Sequence, residues 1–126
     1  MAAVEIVSFG YLHDAPPAAH LIIDLRHHFR DPHMSPELRY MTADDEPVRT
    51  AVENTPGITD LVAATATAVA AFASGPSAGT VTVADGCAGG RHRAPTFARL
   101  LAERLAAAGH SVTVSHRDMA KDVVQR

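Results

Sequence analysis

The stretch Thr80-Val81-Thr82-Val83-Ala84-Asp85-Gly86-Cys87-Ala88-Gly89-Gly90-Arg91-His92-Arg93-Ala94-Pro95 decides the fold. Residues 80–85 read as a strand, β-branched and apolar in their middle. The strand feeds straight into a Gly-rich turn, and Pro95 suits the first turn of a following helix, where its missing N–H costs nothing. Phe97, Leu100, Leu101 and Leu105 then recur at helical spacing. Arg99 and Glu103 stand four residues apart as an expected pair, and Gly109 closes the helix. In open parallel sheets, ligands sit beyond the carboxyl ends of the strands, where loops lead into helices. The turn at residues 86–93 has that position.

Outward from this unit, residues 4–10 and 20–26 read as two earlier strands and residues 111–115 as a last one. Pro16-Pro17 keeps the first connection out of regular helix. Residues 27–47 carry Pro32, Pro36 and Pro47 with three histidines, too long for a simple turn, and loops of that length in compact domains are often functional. Val48 and Val52 mark a short helix that stops near Asn54-Thr55. Ile58, Leu61, Val62, Val69 and Phe72 mark a longer one, with Thr59 as its expected cap and Gly75-Pro76 as its end. A short charged helix is expected from His116 onward. The alternation of strands and helices predicts one α/β domain over residues 1–126, with a mainly parallel four-stranded sheet and helices on both faces.

At 126 residues the chain can bury one core and not two. The formal charge of −3 argues against a protein built to coat nucleic acid, although Arg91, Arg93, Arg99 and Arg104 form a local basic cluster. A lone cysteine, Cys87, fits a reducing compartment. No run approaches membrane-spanning length, and no basic N-terminal region precedes an apolar one, so a cytoplasmic location without membrane attachment is expected.

The chemistry concentrates in Gly86–Arg93. Its glycines let the backbone curve so that free N–H groups converge on an anion at a helix N-terminus. Arg91, His92 and Arg93 add charged donors where cations are otherwise unfavourable, and a bound phosphate resolves that conflict. The alternative is a tight turn with solvated basic residues. No GxxxxGK[ST] or GxGxxG occurs, so neither an ATPase nor a dehydrogenase is supported and no cofactor is expected. Cys87 and Arg93 also stand in the C-x5-R spacing of cysteine-dependent phosphatases, in which a thiolate attacks phosphorus and the arginine holds its oxygens. Against that enzyme stand Ala94, where a hydroxyl residue usually follows the arginine, and Gly86 in place of the customary histidine. A catalytic Cys87 and a merely buried Cys87 both stay open. His27, His28 and His33 with Asp31 match no recognised metal motif, and a polar loop without a metal is the expectation. Asp44-Asp45-Glu46 reads as an acidic helix start. Asp24 and Arg26 share a strand face, as an ion pair or as part of a site.

Ser8-Phe9-Gly10-Tyr11, Ile23-Asp24-Leu25-Arg26, Asp31-Pro32, Pro36-Glu37-Leu38-Arg39 with Thr42, Asp45-Glu46-Pro47-Val48, Gly86–Arg93 and His116-Arg117-Asp118 follow one another in order along nearly the whole chain. In them the sequence resembles the C-terminal domain of the RapZ-like nucleotide-binding family. The resemblance implies an α/β domain that associates as a homo-oligomer and binds glucosamine-6-phosphate and, in some members, a small regulatory RNA; with the cradle it makes a non-catalytic sensor the leading expectation over the phosphatase. It implies an anion site of Cys87, Gly89, Gly90, His92 and Arg93, faced by Asp24, Arg26 and Arg39, and Ala88 and Arg91 of the same turn complete the expected ligand-binding set. Ala88 and Ala94 stand where the family usually has Thr and Ser, which removes two hydroxyl donors. Residues 116–126 lack the dense Lys/Arg tail that would hold RNA, and the family's P-loop does not occur in these residues.

Overall fold

The computed structural model describes residues 2–126. Its elements run β1 (Ala3–Gly10), β2 (Leu21–Asp24), a single 3₁₀ turn at Pro32–Met34, α1 (Glu46–Glu53), α2 (Ile58–Ala73), β3 (Val81–Cys87), α3 (Arg93–Ala107) and β4 (Ser111–His116). The strands form one parallel sheet in the order β2-β3-β1-β4. This is the single α/β domain with a four-stranded sheet that the alternation of elements predicts. All four strands point the same way. The residues after Gly10, Asp24, Cys87 and His116 therefore gather at one end of the sheet, and the site is built there.

Burial explains the packing. Val4 and Ile6 of β1, with Val81 and Val83 of β3, are almost wholly excluded from solvent and share one cluster with Val48 and Val52 of α1, Ile58, Val62 and Val69 of α2, and Phe97, Leu101 and Leu105 of α3. Helix cover is thus concentrated on the sheet face that carries these residues. Each fully buried Leu or Phe contributes about 1.5–3 kcal/mol relative to its exposed state, so this cluster supplies the main stabilisation. Phe9 is buried on the other face and stacks edge-on with Tyr11 at 4.8 Å. No single helix among the described residues is long and apolar enough to cross a membrane.

Several boundaries differ from the expected ones, each for a local reason. β3 continues past Asp85 to Cys87, because Gly86 and Cys87 pair with Phe9 and Gly10 of β1. β2 stops at Asp24, whose carboxylate accepts from the Arg26 backbone N–H (2.9 Å) and turns the chain. α2 is capped not by Thr59 but by Gly57, whose φ of 94° leads into the helix at Ile58. Arg99 pairs with Asp44 across the helix–loop boundary instead of with Glu103.

The helix expected from His116 does not form. β4 runs through His116, residues 117–121 make turns, and residues 122–126 have no regular structure. The cause is Asp118. Its fully buried carboxylate accepts from the Gly10 backbone N–H (2.8 Å) and pairs with Arg117 (2.9 Å) and Lys121 (2.7 Å). These bonds pin the segment to the end of β1.

Candidate functional site

A small pocket opens at the carboxyl end of β3. It is lined by Cys87, Gly89, Arg91, His92 and Arg93 from the Gly-rich turn, by Asp31 and His33 from the long loop, and by Val123, Val124 and Arg126 from the C-terminal segment. The backbone N–H groups of Gly89, Arg91 and His92 donate to no acceptor among the hydrogen bonds of the described residues, while that of Gly90 faces the Cys87 thiol. Buried backbone donors are otherwise almost always paired. Three free amides next to the start of a fifteen-residue helix suit an anion.

The turn holds its shape through a close backbone crossing. Gly90 has φ 76° and lies against the amide of Gly10, with the Asp118 Cβ on its other side. Asp118 ties Gly10 in place from behind. Its hydrogen bonds and the neighbouring cations overcome its burial and hold its carboxyl down at about 2. Asp118→Asn should therefore cost about 1–3 kcal/mol at neutral pH. Because the folded value lies below that of a free carboxyl, this stabilisation is present above about pH 4 and is lost as pH falls toward 2. Urea unfolding of both proteins between pH 2 and 7 should show the two curves converging at the acid end.

Arg93 is 3% exposed. Its guanidinium contacts the Asp31 carboxylate (3.3 Å) and donates to the carbonyls of Arg26 (3.2 Å) and Phe29 (3.4 Å), so it also fixes the start of the long loop. Arg91 donates to the carbonyls of Lys121, Tyr40 and Met41, and His92 Nε2 meets the Met41 carbonyl at 2.9 Å. Burial pushes the imidazole of His92 below its ordinary value, and likewise that of His33. Both rings are thereby biased to the neutral form. Burial alone would raise Asp31, but the Arg126 hydrogen bond and the Arg93 charge outweigh it and keep the carboxylate ionised.

The expected site residues divide into three groups. Cys87, Gly89, Arg91, His92 and Arg93 come together around the pocket, while Ala88 and Gly90 shape the turn without lining it. Asp24 and Arg26 bind each other bidentately (2.7–3.2 Å), and Arg26 lies 3.7 Å over the Tyr11 ring. Those contacts hold the Asp24 carboxyl below its usual range. Arg39 donates to the His33 carbonyl (2.9 Å) and supports the loop from behind. Asp31, His33 and the C-terminal residues were not foreseen in the pocket. Asp31 caps the 3₁₀ turn through the His33 N–H, and Asp-Pro at a turn start is the signal that points to it. His27 and His28 are exposed, and among the described residues no group of three or more His, Cys, Asp or Glu is placed to hold a metal.

The thiolate alternative does not fit the floor of this pocket. Cys87 is 3% exposed, and burial raises its thiol above the ordinary value, offset only in part by the Ala94 N–H (3.4 Å) and Arg93. A nucleophilic cysteine needs the opposite shift. Cys87 forms the buried floor of the pocket under the turn.

A family model for the RapZ C-terminal domain matches residues 2–120. The chain belongs to that family. Among similar curated proteins, a nucleotide-binding protein of Streptomyces coelicolor is 38% identical over 120 residues, covering 93% of this chain and 40% of that protein. A nucleotide-binding protein of Desulforudis audaxviator is 36% identical over 126 residues, at 96% and 42% coverage. One from Alkalilimnicola ehrlichii is 39% identical over 116 residues, at 89% and 40%. This RapZ C-terminal domain thus spans about two fifths of the length of the relatives it matches. The matched region includes β1, the long loop, the Gly-rich turn and Asp118, and it ends just before the tail residues that line the pocket.

Proposed function

We propose that this domain is a non-catalytic sensor that binds a small phosphorylated metabolite, with an amino-sugar phosphate such as glucosamine-6-phosphate as the first candidate, in the turn of residues 86–93. The observation that carries the reading is that Gly89, Arg91 and His92, whose amides have no acceptor among the described residues, line one pocket together with Arg93. Amides and guanidinium together supply directional donors and charge without requiring a reacting group. Cys87, Ala88 and Gly90 set the curvature, and Arg91 and His92 hold the turn against the long loop. Asp24, Arg26 and Arg39 act at one remove by positioning that loop.

RNA as the partner has less support. The guanidiniums of Arg91, Arg99 and Arg117 are already engaged by the protein's own carbonyls and carboxylates, which leaves fewer for counterion release. The homo-oligomer implied by the family is tested by sedimentation of the isolated chain.

Calorimetry with inorganic phosphate, glucosamine-6-phosphate and unphosphorylated glucosamine tests the proposal. Both phosphorylated ligands should bind and glucosamine should not. Arg93→Ala should weaken phosphate binding at least about tenfold, the scale expected for losing a charge-assisted hydrogen bond. No heat from any phosphorylated ligand overturns the reading.

A further inference from the structure

The pocket has an interior volume of about 10 Å³, roughly room for a single water. A phosphate group with four oxygens does not fit that space. What fills it is the chain's own C-terminal segment. Val123 and Val124 are half-buried along the pocket wall, and the Arg126 Nη2 donates to the Asp31 Oδ2 at 2.6 Å, the same oxygen that Arg93 approaches at 3.3 Å. Arg126 also lies directly over Gly89, its Nη1 3.5 Å from where a Cβ on that glycine would stand. This guanidinium therefore stands in the same small pocket that the proposed anion would have to enter.

The segment is held unevenly. Up to Lys121 it is anchored, through the buried Asp118 and through the Lys121 N–H to the Asp118 carbonyl (3.1 Å). Beyond that point no backbone hydrogen bond ties residues 122–126 to the remainder of the described chain. Side chains alone hold them: Arg126 on Asp31, Gln125 on the Tyr40 hydroxyl (3.4 Å), and the two valines. Segments with few buried contacts and no backbone pairing open at low free-energy cost. Asp31 is meanwhile an internal counter-anion, shared by two guanidiniums that would otherwise face a bound ligand.

We propose that residues 122–126 form a strap, latched by Arg126 on Asp31, which closes the anion cradle and swings out at Asp122 to admit ligand. The regulation rests on the phosphate-site reading above, but the strap has its own readout. Cys87 lies on the pocket floor, so a small uncharged thiol reagent, methyl methanethiosulfonate, reaches it only when the strap opens. In Arg126→Ala, and in a chain ended after Lys121, the labelling rate of Cys87 should rise about tenfold, on the scale of one charge-assisted hydrogen bond. Arg126→Lys keeps the charge without the fork and should fall between wild type and Arg126→Ala. Melting transitions are recorded for each protein. Acceleration with an unchanged transition supports the strap. Wild-type rates in both opened proteins overturn it, and so does acceleration seen only alongside a lowered transition. Adding inorganic phosphate to Arg126→Ala then separates the two readings. Slowed labelling supports both, whereas fast labelling indifferent to phosphate leaves the strap standing and removes the anion site.

Discussion

Gly90→Ala should unfold far more easily than the wild type, by roughly 2–5 kcal/mol: about 1–2 for placing a side chain in the left-handed region and about 1–3 for forcing it into packed surroundings. Gly90 has φ 76°, which an L-residue adopts at a cost. An added Cβ would lie 2.8 Å from the Gly10 amide nitrogen, 2.9 Å from the Asp118 Cβ and 3.1 Å from the Phe9 carbonyl carbon. None of these can retreat. Gly10 and Phe9 are in β1, paired to β3 and β4, and Asp118 is fully buried. The reciprocal change, Gly10→Ala, meets Gly89 and Gly90 backbone atoms at 2.5–2.7 Å and should be comparably severe. Gly79→Ala is the control, since nothing lies within 4 Å of its added Cβ. Urea midpoints measure all three. A Gly90→Ala midpoint within error of that of Gly79→Ala would mean that the crossing does not set the shape of the turn. If the fold survives, phosphate binding should still be lost, because the amides of residues 89–92 can converge only while that crossing holds.

This crossing also shows how far the sequence alone could be read. Strand identity and order of elements were legible because Val4–Ile6, Leu21–Ile23, Val81–Val83 and Phe97–Leu105 obey local periodicities. The position of the turn was legible for the same reason. What it touches was not. Gly86 and Cys87 read as turn residues until parallel pairing with Phe9 and Gly10 extends the strand through them, and that pairing joins residues about eighty positions apart. Arg99 has a plausible partner four residues away in Glu103 and instead takes Asp44, fifty-five residues away. The C-terminal segment carries a helix-like charge pattern, yet its one buried carboxylate is worth more against the Gly10 amide than in a helical turn. Arg126 on Asp31 spans ninety-five residues. Local propensity was overruled wherever a partner lay far away in sequence, whether the contact is buried, as at Asp118, or exposed, as at Arg99 and Asp44.

One buried carboxyl has no partner among the described residues, and the second large effect is expected there. Asp85 is fully buried on β3, between Ser8 of β1 and Ile23 of β2 in register, and neither carboxyl oxygen has a hydrogen-bond partner among the described residues. Burial raises its carboxyl well above the ordinary value, which favours the neutral acid. An unpartnered buried polar group costs about 1–3 kcal/mol, and Asp85→Val, which removes it at similar volume with a residue suited to a strand, should stabilise the fold by that amount at neutral pH. The pH dependence has a definite sign. The folded state keeps the proton that the unfolded chain releases near pH 4, so wild-type stability should fall as pH rises from there toward the raised folded value. Asp85→Val should lack that decline, and Asp85→Asn should lack it while keeping the unpaired amide's cost. Urea unfolding from pH 4 to 8 on the three proteins decides the matter: parallel curves would mean that Asp85 is paired and charged in solution. A stabilised Asp85→Val that also lost phosphate binding would place the carboxyl in service of the cradle, two residues before Cys87, where its cost to the fold is offset by what it does for the site.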